Sequence, residues 1–132
     1  MQQPAPVSEP APEPALAPAP APAPIQSAAV ASLMDGARAD VAAGRLANAA
    51  ASLERALRIE PRNARLWQEL ARVRLKQGEY AQAESVAARS NSWAGSDNRL
   101  RAENWRLIAQ AREARGDAAG ARAALEAAER QQ

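Results

Sequence analysis

The sequence predicts an all-α domain, a stack of helical hairpins carried behind a proline-rich arm, and three observations predict it. Nine of the ten prolines lie between Pro4 and Pro24. From Ser27 onward the residues are mostly strong helix formers, with apolar positions recurring at intervals of three and four. The glycines that interrupt this pattern, Gly44, Gly78 and Gly116, recur themselves at nearly constant spacing.

The arm, residues 1–26, alternates alanine with proline and carries only two charges, Glu9 and Glu13. Proline fixes φ and donates no hydrogen bond, so this alternation favours an extended, polyproline-like spacer, disordered and without apolar bulk to bury. The domain, residues 27–132, is near the common size for one folding unit. It holds all 17 basic side chains, 16 arginines and Lys76; the 15 acidic ones, less Glu9 and Glu13, leave 13 beside them, a net charge of +4. That excess is mild and is read as a bias towards arginine and alanine rather than as a nucleic-acid surface.

The chain has no cysteine and no histidine, which excludes disulfides, thiolate and imidazole catalysis and the usual zinc ligands. No cofactor or metal is expected. No apolar run is long enough to cross a membrane as a helix, and the regions of a secretory signal are missing. Met1 before a proline-rich arm fits either a native start or a chain cut after a removed signal.

Breaks at Gly44, Pro61 to Asn63, Gly78, Gly95 to Ser96 and Gly116 give six helices, expected at 28–43, 46–59, 64–77, 80–92, 97–115 and 118–130. Asn63, Ser96 and Asp117 are the expected N-caps, since each can accept from free first-turn amides. Leu33 and Trp67, Gly44 and Gly78, Leu46 and Tyr80, and Ala49 and Ala83 share one spacing, the period of about 34 residues that marks one repeat architecture. Trp67 and Trp105, Gly78 and Gly116, and Ala83 and Ala121 share a second spacing, longer by about one helical turn, so the third unit is the same unit displaced. The added turn is expected at the start of the fifth helix, Asn98 to Arg101.

On these residues the chain resembles the tetratricopeptide repeat family over about 30–130, with repeats at about 30–63, 64–97 and 98–132. The second unit carries Trp67, Leu70, Ala71, Gly78, Tyr80 and Ala83 at the family's spacings. The third carries Trp105, Ile108, Ala109, Gly116 and Ala121, followed by Leu125 and Ala128. The first opens more weakly, with Leu33, Gly36 and Ala37, and finishes with Ala49, Leu53, Ala56 and Pro61. The resemblance implies a right-handed superhelical stack of three helix-turn-helix repeats, in which small residues let paired helices approach and Leu33, Trp67 and Trp105 fill gaps between neighbours. Asp40, Arg74 and Arg112 stand where the family often has tyrosine. Ser90 and Asn91 are also unusual, and the connection Trp93 to Ser96 is non-standard, with Trp93 expected to pack as a lid over it.

The resemblance further implies that the first helix of each pair lines a concave groove that takes a partner peptide or helix. Periodicity puts Trp67, Leu70, Ala71 and Arg74 on one stripe of the third helix and leaves Gln68, Arg72 and Lys76 on another. Shifting by the repeat gives rows across the groove: Met34, Gln68 and Arg106; Arg38, Arg72 and Gln110; Ala42, Lys76 and Ala114; with Arg65 flanking. This surface is basic and amide-rich with one soft apolar residue, suited to an acidic peptide or a C-terminal carboxylate. Met34, Glu69 and Glu103 do not supply what the family's chaperone-tail clamp needs.

Three other readings carry less. A nucleic-acid binder needs exposed aromatics, and of Trp67, Tyr80, Trp93 and Trp105 most are expected to be consumed by the core. An enzyme finds only ordinary helix-surface carboxylates, such as Asp35 with Asp40 and Glu126 with Glu129. A self-associating subunit, for instance a homodimer, is suggested by the alanine-rich last helix. Alanine/proline arms occur in bacterial tetratricopeptide lipoproteins, so the resemblance implies a periplasmic adaptor tethered through an N-terminal anchor trimmed from this chain; the alternative is cytoplasmic.

Overall fold

The computed structural model describes residues 27–131, so the extended arm expected over residues 1–26 lies outside the described residues. Six helices follow one another: α1 (Ala28–Ala42), α2 (Leu46–Ile59), α3 (Ala64–Lys76), α4 (Tyr80–Trp93), α5 (Asn98–Ala114) and α6 (Ala118–Arg130). Four of them, α1, α3, α5 and α6, begin at a polar side chain that accepts from a free first-turn amide, whereas α2 and α4 follow the glycine turns without a side-chain cap. Ser27 Oγ accepts from the Val30 amide at 3.1 Å, and Asn63 Oδ1 accepts from Arg65 and Leu66 at 3.0 and 3.3 Å. Asp117 Oδ1 accepts from Gly120 at 2.8 Å. The cap of α5 is Asp97, not the expected Ser96: its carboxylate accepts from the Leu100 amide at 3.0 Å, while Ser96 lies one residue too early, in the turn.

The three hairpins turn alike. Gly44, Gly78 and Gly116 adopt φ of 80°, 77° and 83°, a left-handed backbone that a side chain disfavours. The amides that follow them reach back to the carbonyls of Asp40, Arg74 and Arg112 at 2.7, 2.9 and 2.8 Å. At two of those positions a side chain also ties the hairpin laterally: Arg74 pairs with Glu54 and Arg112 with Glu84, each at 2.8 Å. The hydrogen bond to Glu84 raises the Arg112 pKa, against desolvation and with help from the charges of Glu84 and Asp117.

Ala37, Ala49, Ala71, Ala83, Ala109 and Ala121 are all buried, which lets the paired helices lie close. One core cluster joins α1, α2 and α3 through Val30, Leu53, Leu66 and Leu70; Leu33 and Trp67 pack half-buried against it. A second joins α3, α4, α5 and α6 through Ala71, Ala87, Leu107, Ile108 and Ala124, with Trp105 beside it. The expected all-α stack of three hairpins is what forms. The added turn is also where periodicity put it, since α5 runs 17 residues against 13 in α3 and starts at Asn98.

Between α3, α4 and α5 the core is polar. Asn104, wholly buried, donates from Nδ2 to Ser90 Oγ at 2.8 Å and to Asn91 Oδ1 at 2.9 Å, and its Oδ1 accepts from Gln68 Nε2 at 3.1 Å. Ser90 Oγ in turn donates to the Ala64 carbonyl at 2.7 Å. Ser90 and Asn91 depart from the family pattern because they complete this network. Trp93 is not the packed lid expected from the sequence. It is 42% exposed, because Leu100 and Arg101 of the added turn occupy the junction: Leu100 is buried, and Arg101 donates to the carbonyls of Gly95 and Asn91 at 2.9 and 3.4 Å.

Candidate functional site

Met34, Ala37 and Val41 lie at i, i+3 and i+7 on α1, so they share one face, and that face looks onto Leu53 and Val73. Together they floor a hollow of about 120 Å³ between α1 and α3. Its rim is charged. Arg38 comes from α1, and Glu69, Arg72 and Lys76 stand at i, i+3 and i+7 on α3. The carboxylates hold these cations loosely: Arg38 lies 3.5 Å from Glu69, and Arg72 lies 4.0 Å from Glu103. Among the described residues Lys76 makes no ion pair. Pairs at this distance and exposure contribute little and exchange readily for a better-placed anion.

The eight residues singled out from the sequence do not share one surface. Arg38, Arg72 and Lys76 converge as expected, with Met34 beneath them. Met34, however, is only 4% exposed and belongs to the core, and Gln68 is 1% exposed, sealed into the polar network by Leu100, Glu103 and Asn104. The cause is the stacking itself: this row of each unit faces the first helix of the next, so α3 covers Met34 and α5 covers Gln68. Arg106, with no further helix over it among the described residues, sits exposed in a separate depression with Arg99 and Gln131. Arg65 lies in a third, open cleft at the start of α3, and Gln110 is exposed.

Val41 and Val73 were not among the residues singled out from the sequence, although Val41 stands two turns beyond Met34 on the same stripe. Neither was the cleft of about 840 Å³ where Arg62 lies against the Trp93 ring, its guanidinium carbon 5.3 Å from the centroid. No group of acidic residues among those described is placed to hold a metal ion.

Helix hairpins repeated with this register, small-residue seams and glycine turns define a tetratricopeptide repeat protein, and the comparisons agree. Residues 40–103 match the tetratricopeptide repeat family. The chain is 48% identical to the globular C-terminal domain of LpoP from P. aeruginosa, covering 78% of this chain and 97% of that one, with a TM-score of 0.77. It belongs to the tetratricopeptide repeat family. The N-terminal domain of stress-induced protein-1 (STI-1) from C. elegans superposes with a TM-score of 0.73 over 78% of this chain and 84% of that one, and at 14% identity it shows the fold alone. No curated protein matches the sequence. The fold is one that serves protein–protein interaction.

Proposed function

We propose that this protein is a non-enzymatic adaptor that takes a partner peptide or helix in the groove between α1 and α3. One observation carries the reading: an apolar hollow with three cations on its rim, Arg38, Arg72 and Lys76, and a single rim carboxylate, Glu69. An aliphatic side chain of the partner fills the hollow over Met34, Val41 and Val73, and an acidic residue or a terminal carboxylate takes the arginines from their distant glutamates. Arg65, Gln68, Arg106 and Gln110 lie outside this contact.

The test is charge reversal. With the full chain as bait, a pull-down from bacterial envelope extract supplies the partner, and its affinity is then measured for the Arg72→Glu/Lys76→Glu variant. Truncating charge-assisted contacts at a desolvated interface commonly costs about 2 kcal/mol or more, so affinity falls tens-fold. Arg55→Glu/Arg122→Glu on the outer helices is the control. Arg89 would be a poor one, because its guanidinium lies 5.0 Å from the Trp67 ring centroid. If the outer pair abolishes binding and the groove pair spares it, the partner sits on the convex face.

A place in the bacterial envelope, tethered through an N-terminal anchor, goes with this reading and is supported by the likeness to the LpoP domain. Fractionating cells that express the protein from its own gene tests it, and recovery in the cytoplasm sinks it. Self-association through α6 is the second reading, favoured by Leu125, which stands 48% exposed there. Sedimentation across a range of concentrations separates a monomeric adaptor from that dimer.

A further inference from the structure

We propose that the open cleft between the start of α3 and the end of α4 receives this chain's own proline-rich N-terminal segment. Prolines pack on Trp93, and Glu9 and Glu13 meet Arg62 and Arg65.

Four observations on the cleft and the chain lead there. Trp93 keeps 42% of its surface exposed although Arg62 covers part of it, so a large aromatic face is left for an apolar partner. Rigid proline rings are the natural complement of such a face, because a polyproline segment is already extended and loses little entropy on docking. Arg62 and Arg65 make no ion pair among the described residues, and the one carboxylate in the cleft, Asp97, is engaged as the cap of α5. The cleft therefore carries uncompensated positive charge.

The segment preceding Ser27 holds no basic side chain and two acidic ones, set in the run Glu9-Pro10-Ala11-Pro12-Glu13-Pro14. It also enters the fold beside the cleft. The Glu60 carboxylate accepts from the Ser27 amide at 2.8 Å and from the Asn63 side chain at 2.9 Å, and Asn63 lines the cleft. The stretch from Pro14 to Ser27 spans on the order of 40 Å when extended as polyproline. That is ample to bring the Glu9–Glu13 run back onto Trp93. The proposal departs from what composition alone suggests, that the arm is only a spacer.

The chain has no cysteine, so Ala11→Cys gives a unique attachment point for a nitroxide label, read on the three tryptophan indole N–H signals of the full chain by NMR. Docking predicts a loss of intensity at Trp93 beyond that at Trp67 and Trp105. The excess loss vanishes in Glu9→Gln/Glu13→Gln, which leaves the domain untouched, and in Arg62→Glu/Arg65→Glu. Equal broadening of the three indoles, or broadening at Trp93 that survives both pairs of substitutions, overturns the proposal. Mixing labelled chains with isotope-enriched unlabelled ones adds a further check: loss at Trp93 in the enriched chain means that a second copy supplies the segment, which overturns the intramolecular form.

Discussion

The seam between α1 and α3 and the seam between α3 and α5 are made from the same positions of the repeating unit and are filled in opposite ways. Met34 and Gln68 stand one repeat apart, and each is covered by the first helix of the next unit. Over Met34 that helix brings Val73 and leaves an apolar hollow. Over Gln68 it brings Asn104 and the Leu100 carbonyl, which close the seam with hydrogen bonds. Register within the repeat therefore decides where a side chain goes, and the neighbouring helix decides whether it must be polar. A hydrogen-bonded seam specifies one arrangement. An underfilled apolar seam keeps room for a ligand.

The largest expected effect breaks the polar seam. Asn104→Ala removes the shared partner of Gln68, Ser90 and Asn91 and leaves buried polar groups unmatched, so urea unfolding should show a loss of about 3 kcal/mol or more. Met34→Ala, at the seam already beside a hollow, should cost about 2 kcal/mol. If Met34 proves the more expensive, the polar network is not what holds α5 in place. Gly78→Val should cost about 2 kcal/mol, all of it from the backbone, because φ is 77° and an added Cβ meets nothing within 4 Å. A variant that melts like the parent would show that the hairpin turn relaxes without glycine.

A finer comparison lies between the lateral ties of the two hairpins. Glu84 receives both Arg112, at 2.8 Å, and Arg115, at 3.1 Å, whereas among the described residues Glu54 pairs with Arg74 alone and is 47% exposed. Glu84→Gln should therefore cost about 1 kcal/mol and Glu54→Gln less than about 0.5 kcal/mol, the latter fading with salt. A comparably small change in stability, about 0.5 kcal/mol, belongs to the groove reversal, Arg72→Glu/Lys76→Glu, although its effect on partner affinity is the largest.

Much of this fold was legible because its signals are local. The glycines, the alanine seams and the repeat period each act within a turn or a hairpin, and the helix ends fell within a residue or two of those read from the sequence. Asn63 and Asp117 announced themselves as caps in the same way, while Ser96 and Asp97 compete at adjacent positions and only the chain's path through the turn decides between them. The geometry of the candidate site was legible in part. Arg38, Arg72 and Lys76 converge as the rows implied, because they point away from the core at fixed spacing. Gln68 was misplaced because its fate depends on Asn104, a full repeat away and shifted by the added turn, which no reading of its own helix reveals. Trp93 was misjudged for a related reason: the space it was expected to fill is taken by Leu100 and Arg101.

That added turn has a geometric consequence. Four residues rotate a helix by about 400°, within about 40° of a whole revolution, and lengthen it by about 6 Å. The insertion thus passes through α5 as extra length, with its faces still aimed at their old neighbours; Trp105 and Gly116 occupy their repeat positions undisturbed. The surplus emerges at one end, as an overhang whose Asp97 and Leu100 line the cleft and whose Arg101 clasps the connector carbonyls. A solenoid can in this way acquire a new surface feature by growing one helix at its tip, while the repeat positions beyond the insertion keep their register.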